Sequence, residues 1–480
     1  MISFLVGIAA LILGYLVYGK IVEKVFKIRP QQETPAVRIN DGVDFVVLPT
    51  WRAVLIQFLN IAGTGPIFGA IAGALWGPAA FAWIVFGCIF AGAVHDYFSG
   101  MLSLRDNGTT IAEIVGTYLG KIPKYVMRVF SVILLIFVGV VFVYSPAQVL
   151  NVLIDPNNKN IFLIALVVII VYYIFATILP IDKLIGKLYP LFGAALLIMG
   201  IGITIMLFVK GEIFNVPEFA FKNLHPKGAA LFPFLCISIA CGAISGFHAT
   251  QSPLMARCIK NETEGRKVFY GAMICEGIVA MIWAAAAMAH FDGQAGLAAA
   301  GSPAAVVTRV SVDLMGPIGG VLAVLGVVAC PITSGDTAFR SARLAIADAL
   351  KFEQKPIKNR FMIALPLFAI GIMLVVWSQK TPANFSIIWR YFAWSNQTLA
   401  TIALWAASAY LAKTAKNYWI TLIPATFMTV VVTSYILTAQ EGFRLPYLPC
   451  IIAGIVIGIV LFGLFIPQIA IKQKGSIQDI

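Results

Sequence analysis

Five ionisable side chains fall inside long apolar runs: His95 and Asp96, Glu276, Asp336 and Arg390. Charge at such depth is costly and marks functional candidates. A buried carboxylate is a titratable group and can carry a proton, which makes Asp96, Glu276 and Asp336 candidates for ion coupling. Plainer readings stand beside these. Asp336 and Arg340 are one helical turn apart and could pair. Arg390 could snorkel outward, and His95 fits a satisfied core histidine. Glu276 resists such a reading, because its own run holds no basic residue. Thr333 and Ser334, between Cys330-Pro331 and Gly335, could offer adjacent hydroxyl oxygens to a hard cation such as sodium. They could equally bond back to their own helix.

Two further segments carry chemistry in their backbones. Asn60-Ile61-Ala62-Gly63-Thr64-Gly65-Pro66-Ile67 places two glycines and a proline in mid-run, and Cys241-Gly242-Ala243-Ile244-Ser245-Gly246-Phe247-His248 repeats the pattern ahead of Pro253. Each reads as two half-helices joined by an unwound linker, with breaks near 63–66 and 242–248; the alternative is a kinked helix. A half-helix starting at Pro66 would present the N–H groups of Ile67 and Phe68 and the positive end of its dipole to a carboxylate. Gly63 and Gly65 would leave room for the anion beside Thr64. Ser245, Gly246, Phe247 and His248 would face the same cavity, with Phe247 covering the ligand. Arg390 is the competing anion site, able to form a bidentate pair. Gly65, Gly69, Gly73 and Gly77, four apart, predict a face that another helix approaches closely.

The elements that position these groups are apolar spans, each long enough to cross a hydrocarbon core of roughly 30 Å. Thirteen are expected: 1–19, 51–76, 79–104, 125–146, 160–180, 189–209, 229–253, 268–289, 317–339, 361–378, 384–411, 418–438 and 446–468. Residues 1–19 have no basic leader or Ala-x-Ala site and read as a retained helix. An amphipathic interfacial helix is expected after Asp336, within 340–360. The broken segments open two groups of five spans, 51–209 and 229–411. Five is odd, so the groups insert in opposite orientation, as in inverted-repeat transporters. Residues 1–50 then form a peripheral helix and loop, and 412–480 a two-helix extension.

Composition agrees. Of 480 residues, 60% are hydrophobic and 11% charged, against about a quarter charged in soluble domains. The net charge of +13 does not imply nucleic acid, because the basic residues sit between apolar spans. One set of alternate loops holds 25 of the 34 Lys and Arg and the other set 7. The positive-inside rule places the richer set in the cytoplasm, with the N-terminus outside and the C-terminus inside a cytoplasmic membrane. The seven cysteines form no Cys-x-x-Cys pair, and enzyme signatures are absent: Gly242-Ala243-Ile244-Ser245-Gly246 has its serine one place late for a nucleophile elbow. The expected partners are a small-molecule substrate and the lipid bilayer, with no cofactor beyond a bound sodium ion or a coupled proton. The oligomeric state is left open. A membrane sensor without transport would need a cytoplasmic signalling domain, and the loops are too short for one; a channel would need rings of like groups.

Ile61–Ile67, Gly92-Ala93-Val94-His95-Asp96, Ala240–His248, Ser334–Arg343 and Ser395-Asn396-Gln397 resemble the carbon starvation protein A family, in its shorter branch. The resemblance covers most of residues 1–411. It implies uptake of peptides or pyruvate during nutrient limitation and the leucine-transporter-like fold of the amino acid–polyamine–organocation superfamily. By the same resemblance, Asn396 and Gln397 join the substrate site. Ala62 at the first broken helix, with Cys330, Thr333 and Ser334 in the eighth core helix, would form a sodium site. Longer members commonly carry Gln where His95 stands, so no role passes to His95. Sodium and proton coupling both stay open.

Overall fold

The computed structural model describes residues 1–42, 45–178, 182–219, 222–353 and 356–475. All thirteen apolar runs carry helix: α1 (Ile2–Phe26), α2a (Thr50–Ile61) with α2b (Thr64–Trp76), α3 (Ala79–Arg105), α4 (Lys121–Ile154), α5 (Lys159–Ile178), α6 (Asp182–Val209), α7a (Phe234–Ser238) with α7b (Gly246–Ala256), α8 (Glu262–His290), α9 (Pro303–Ala347), α10 (Ile357–Ser378), α11 (Pro382–Lys413), α12 (Trp419–Thr438) and α13 (Tyr447–Gly475). Ten are long and apolar enough to cross a membrane alone, and the α2a–α2b pair, bent by 51°, makes an eleventh. The other two are α7, split into short halves, and α11, diluted by Asn396 and Gln397. No strand occurs among the described residues.

Two expectations are corrected. Between the runs, residues 290–316 hold a short helix, Gly293–Ala299, and the first part of α9. The chain turns at Gly316, whose φ of 63° is the left-handed region open to glycine, so the expected start at 317 marks a kink. The helix after Asp336 is not separate, because α9 runs unbroken through it. Residues 105–124 contain a helix at Ile111–Leu119.

α3 and α8 form the centre, with 78% and 83% of their apolar windows enclosed, against 17% for α13. Ile452, Val456, Ile459 and Val460 of α13 point outward, as suits a lipid solvent. Each central helix contains a π-helical turn, at Cys88–Gly92 and Arg266–Gly271. The extra residue of such a turn re-aims the side chains that follow. Asp96 and Glu276 lie just beyond the two turns.

The glycine stripe of α2b finds its partner in the other broken helix. A Cβ on Gly69 would lie 3.0 Å from the Ser238 carbonyl, on Gly73 2.3 Å from the Ile239 side chain, and on Gly65 2.5 Å from Cys241 Sγ. The two interrupted segments therefore pack against each other.

Candidate functional site

The first break is Ala62-Gly63, upstream of the expected 63–66, and α2b begins at Thr64. Pro66 falls within its first turn, where no N–H is required. The donors at this helix start are accordingly Thr64 and Gly65, not Ile67 and Phe68 as the sequence suggested. The room expected beside the glycines is also filled: a Cβ on Gly63 would meet the Phe142 ring at 3.0 Å, and Gly65 faces Cys241.

The second break spans Ile239 to Ser245, also upstream of expectation. Its freed backbone groups are taken up by side chains, as a lipid environment requires. Trp83 Nε1 donates to the carbonyls of Cys236 at 3.2 Å and Ile239 at 3.0 Å. Gln397 Nε2 donates to the Cys236 carbonyl at 2.6 Å. At the start of α7b, the Phe247 N–H donates to Asn396 Oδ1 at 2.6 Å, and Asn396 Nδ2 donates to Ser245 Oγ at 2.9 Å. Asn396 and Gln397 thus hold the break together. Phe247 lies edge-on to Phe142, with centroids 6.1 Å apart. Gln57, Thr64 Oγ1 and Gln397 Oε1 are buried polar groups without a hydrogen-bond partner among the described residues.

His248, the third residue of α7b, leaves the expected substrate group and sits between two carboxylates. Its Nδ1 is 2.8 Å from Asp96 Oδ2, and its Nε2 is 3.3 Å from Glu276 Oε2. His95 Nδ1 is 2.8 Å from Asp96 Oδ1. The side chains of all four are fully enclosed. The Glu276 approach is within ion-pair reach but off the line of a hydrogen bond, and both Glu276 oxygens lack a hydrogen-bond partner among the described residues. Gly92 makes the arrangement possible. A Cβ there would lie 2.2 Å from the Ala243 carbonyl, so only glycine lets the second break lie against α3 one turn from Asp96. The basic partner that Glu276 lacked in its own span comes from another helix.

Between α9 and the first break, Ser334 Oγ donates to the carbonyls of Leu59 at 3.3 Å and Cys330 at 3.2 Å. The bond to Cys330 is the back-bond to its own helix that the sequence allowed. Cys330 Sγ lies 3.5 Å from the Leu59 carbonyl and 3.8 Å from that of Ala62. Ser334 Oγ and the Leu59 and Ala62 carbonyls are hard oxygens; a cation among them would replace the contacts of the hydroxyl and the thiol. The side chains of Thr333 and Asp336 lie outside the described residues. Arg340 donates to the Ala176 carbonyl at 2.8 Å. Arg390, its side chain 42% exposed, reaches outward instead of facing the breaks: its Nη1 pairs with Glu441 Oε2 at 3.2 Å. Trp83, Phe142 and Tyr173, whose hydroxyl donates to the Phe142 carbonyl at 2.9 Å, were not foreseen. Nothing in their spacing sets them apart from other aromatic residues in apolar runs. Among the described residues no group of three His, Cys, Asp or Glu could hold a metal ion.

The chain matches the family described as "Carbon starvation protein CstA" over residues 1–167, 158–314 and 287–435. An uncharacterized membrane protein of Haemophilus influenzae is 43% identical over 62% of this chain and 93% of its own. A peptide transporter CstA of Campylobacter jejuni is 25% identical over 87% of this chain and 77% of its own. The pyruvate/proton symporter BtsT of Escherichia coli is 29% identical over 55% of this chain and 45% of its own. Among solved structures, MhsT in complex with L-phenylalanine superposes with a TM-score of 0.55 at 14% identity, covering 85% of this chain and 97% of that one. This likeness shows a shared fold, the leucine-transporter-like architecture with two broken helices.

Proposed function

This protein belongs to the carbon starvation protein CstA family, and we propose that it is a secondary active transporter importing a small carboxylate-bearing nutrient, a peptide or pyruvate, driven by an ion gradient. The observation that carries this reading is the crossing of the two broken helices along the glycine stripe, with a helix start from α2b and a carboxylate–imidazole cluster enclosed beside it. Such breaks are where this kind of fold binds substrate and coupling ion. Relatives named for peptide transport and for pyruvate/proton symport support the substrate class. In this reading 51–209 and 229–411 are the inverted repeats, and the basic loops face the cytoplasm across the inner membrane. The carboxylate binds near the Thr64 and Gly65 N–H groups once Phe142 and Cys241, which fill the space beside Gly63 and Gly65, move aside. The coupling ion is a proton held by buried carboxylates or sodium at Ser334 and the Leu59 and Ala62 carbonyls. Purified protein in liposomes should accumulate labelled pyruvate or labelled dialanine above equilibrium when an inward proton or sodium gradient is imposed. Equilibration without accumulation under both gradients would reject active transport.

A further inference from the structure

The enclosed cluster of Asp96, His248 and Glu276 holds more acid than base. Facing it are His95 and Cys88 from α3 and Cys241 from the break before α7b. Cys275, beside Glu276 in sequence, is exposed. Asn396 of α11, which donates to Cys241 Sγ, does not titrate at neutral pH. No Lys or Arg pairs with the cluster among the described residues. Two carboxylates taken out of water beside the His248 and His95 imidazoles, each uncharged unless it binds a proton, cannot both stay charged without large cost, so charge balance requires a bound proton. Geometry says where it can travel. One nitrogen of His248 meets Asp96 at 2.8 Å, while the other stands 3.3 Å from Glu276 without a formed hydrogen bond. The two carboxylates ride on the enclosed helices α3 and α8, whereas the imidazole rides on α7b, three residues past a seven-residue break.

We propose that Asp96, His248 and Glu276 form the proton-coupling centre of this protein, with the imidazole carried on the broken helix making or breaking the link to Glu276. The inference rests on the transporter reading above and adds the ion and its carrier. In the transfer, the Glu276 carboxyl O–H gives its proton to His248 Nε2, and the Nδ1–H of the same ring passes to Asp96 Oδ2. One proton moves, the imidazole is neutral before and after, and the negative charge passes from Asp96 to Glu276. A rotation of α7b that lengthens the Nε2–Glu276 distance interrupts the transfer, which ties proton movement to the helix next to the substrate region. His95 holds the outer oxygen of Asp96 in place.

Two measurements on the full-length protein test this. The first needs no substrate: difference infrared spectra of purified protein between acid and alkaline pH should show a protonated carboxyl band that disappears in Glu276→Gln, a variant of nearly the same shape. Persistence of the whole band in that variant would overturn the proposal. The second uses labelled pyruvate and labelled dialanine in proteoliposomes. An inward proton gradient should accelerate wild-type uptake, and Glu276→Gln should lose the whole acceleration yet still exchange internal for external label. Gradient-driven uptake that survives in Glu276→Gln, or that responds only to sodium, would also overturn it while leaving the transporter reading intact. If neither compound enters with the wild type, the substrate reading fails and the infrared result alone decides the proton centre.

Discussion

Asn396 is the residue on which the second break turns. One amide accepts the Phe247 N–H in the first turn of α7b and donates to Ser245 and, at 3.2 Å, to Cys241 Sγ. Replacing it by Leu leaves a buried N–H and a buried hydroxyl without these partners, at a cost of about 1–3 kcal/mol for each orphaned group. Asn396→Leu is therefore expected to lower the thermal aggregation midpoint by a few degrees and to suppress uptake. Asn396→Asp keeps the acceptor for Phe247 and should fall between the two. Thermal-shift and uptake measurements on the three proteins check the order; an Asn396→Leu protein with wild-type stability would show that water takes over the amide's bonds.

At the scale of elements, the glycines that let the broken helices approach differ in what opposes them. Gly73 faces the flexible end of Ile239, whereas Gly92 faces the backbone carbonyl of Ala243. A side chain can be trimmed and a carbonyl cannot. Gly73→Ala should be damaging alone and recover substantially when combined with Ile239→Ala. Gly92→Ala should stay damaging, because α3 must separate from the second break and carry Asp96 away from His248. Expression level and monodispersity in detergent report both. Rescue of Gly92→Ala by any trimming of neighbouring side chains would show that the break loop can move aside.

Over the whole molecule, the ends of the helices that carry the basic loops are tied together by one cluster. Arg105 pairs with both oxygens of Glu262 at 2.9 Å, donates to Tyr410 at 2.7 Å and lies over the Phe26 ring. The Arg29 N–H also reaches Glu262, at 2.6 Å. Lys416 joins through Tyr410 and the Phe26 carbonyl. Burial, with Arg105, Arg29 and Lys27 nearby, brings the Lys416 ammonium down from 10.5 to about 8. Since the folded value is below the unfolded one, charging Lys416 opposes the packed arrangement of this cluster. That penalty is complete below about pH 8 and fades as pH rises from there toward 10.5. The cluster should tighten between pH 7 and pH 9, and Lys416→Met should remove the dependence. A cysteine placed at Ser99, buried one turn beyond Asp96, gives the readout. Its labelling in inside-out vesicles should rise in Glu262→Ala and fall with pH in the parent. Labelling indifferent to Glu262→Ala would show that this cluster does not close the path.

How much was legible follows from the range of each interaction. Span positions, the two breaks to within a few residues, the bias of basic loops and the depth of Asp96 and Glu276 are local properties, set by hydropathy, glycine and proline along the chain. The breaks and their spacing pointed to two groups of five spans, the resemblance of Ile61–Ile67 and Ala240–His248 to a known family implied the leucine-transporter-like fold, and a matching solved structure bears out that fold. The tertiary structure decided the rest. The first start moved to Thr64 because proline is tolerated within the first turn and not only at its first position, and at the second break side chains from other helices, Asn396 above all, set where the chain unwinds and α7b begins at Gly246. His248 was a residue of one broken helix until packing put Asp96 and Glu276, each more than 25 positions away in sequence, on either side of its ring. Arg390 was an anion candidate until Glu441, from beyond α12, neutralised it. Sequence spacing reports which groups share a helix face; which faces meet across α3, α7b and α8 depends on packing among thirteen helices, and only that packing pairs the buried charges.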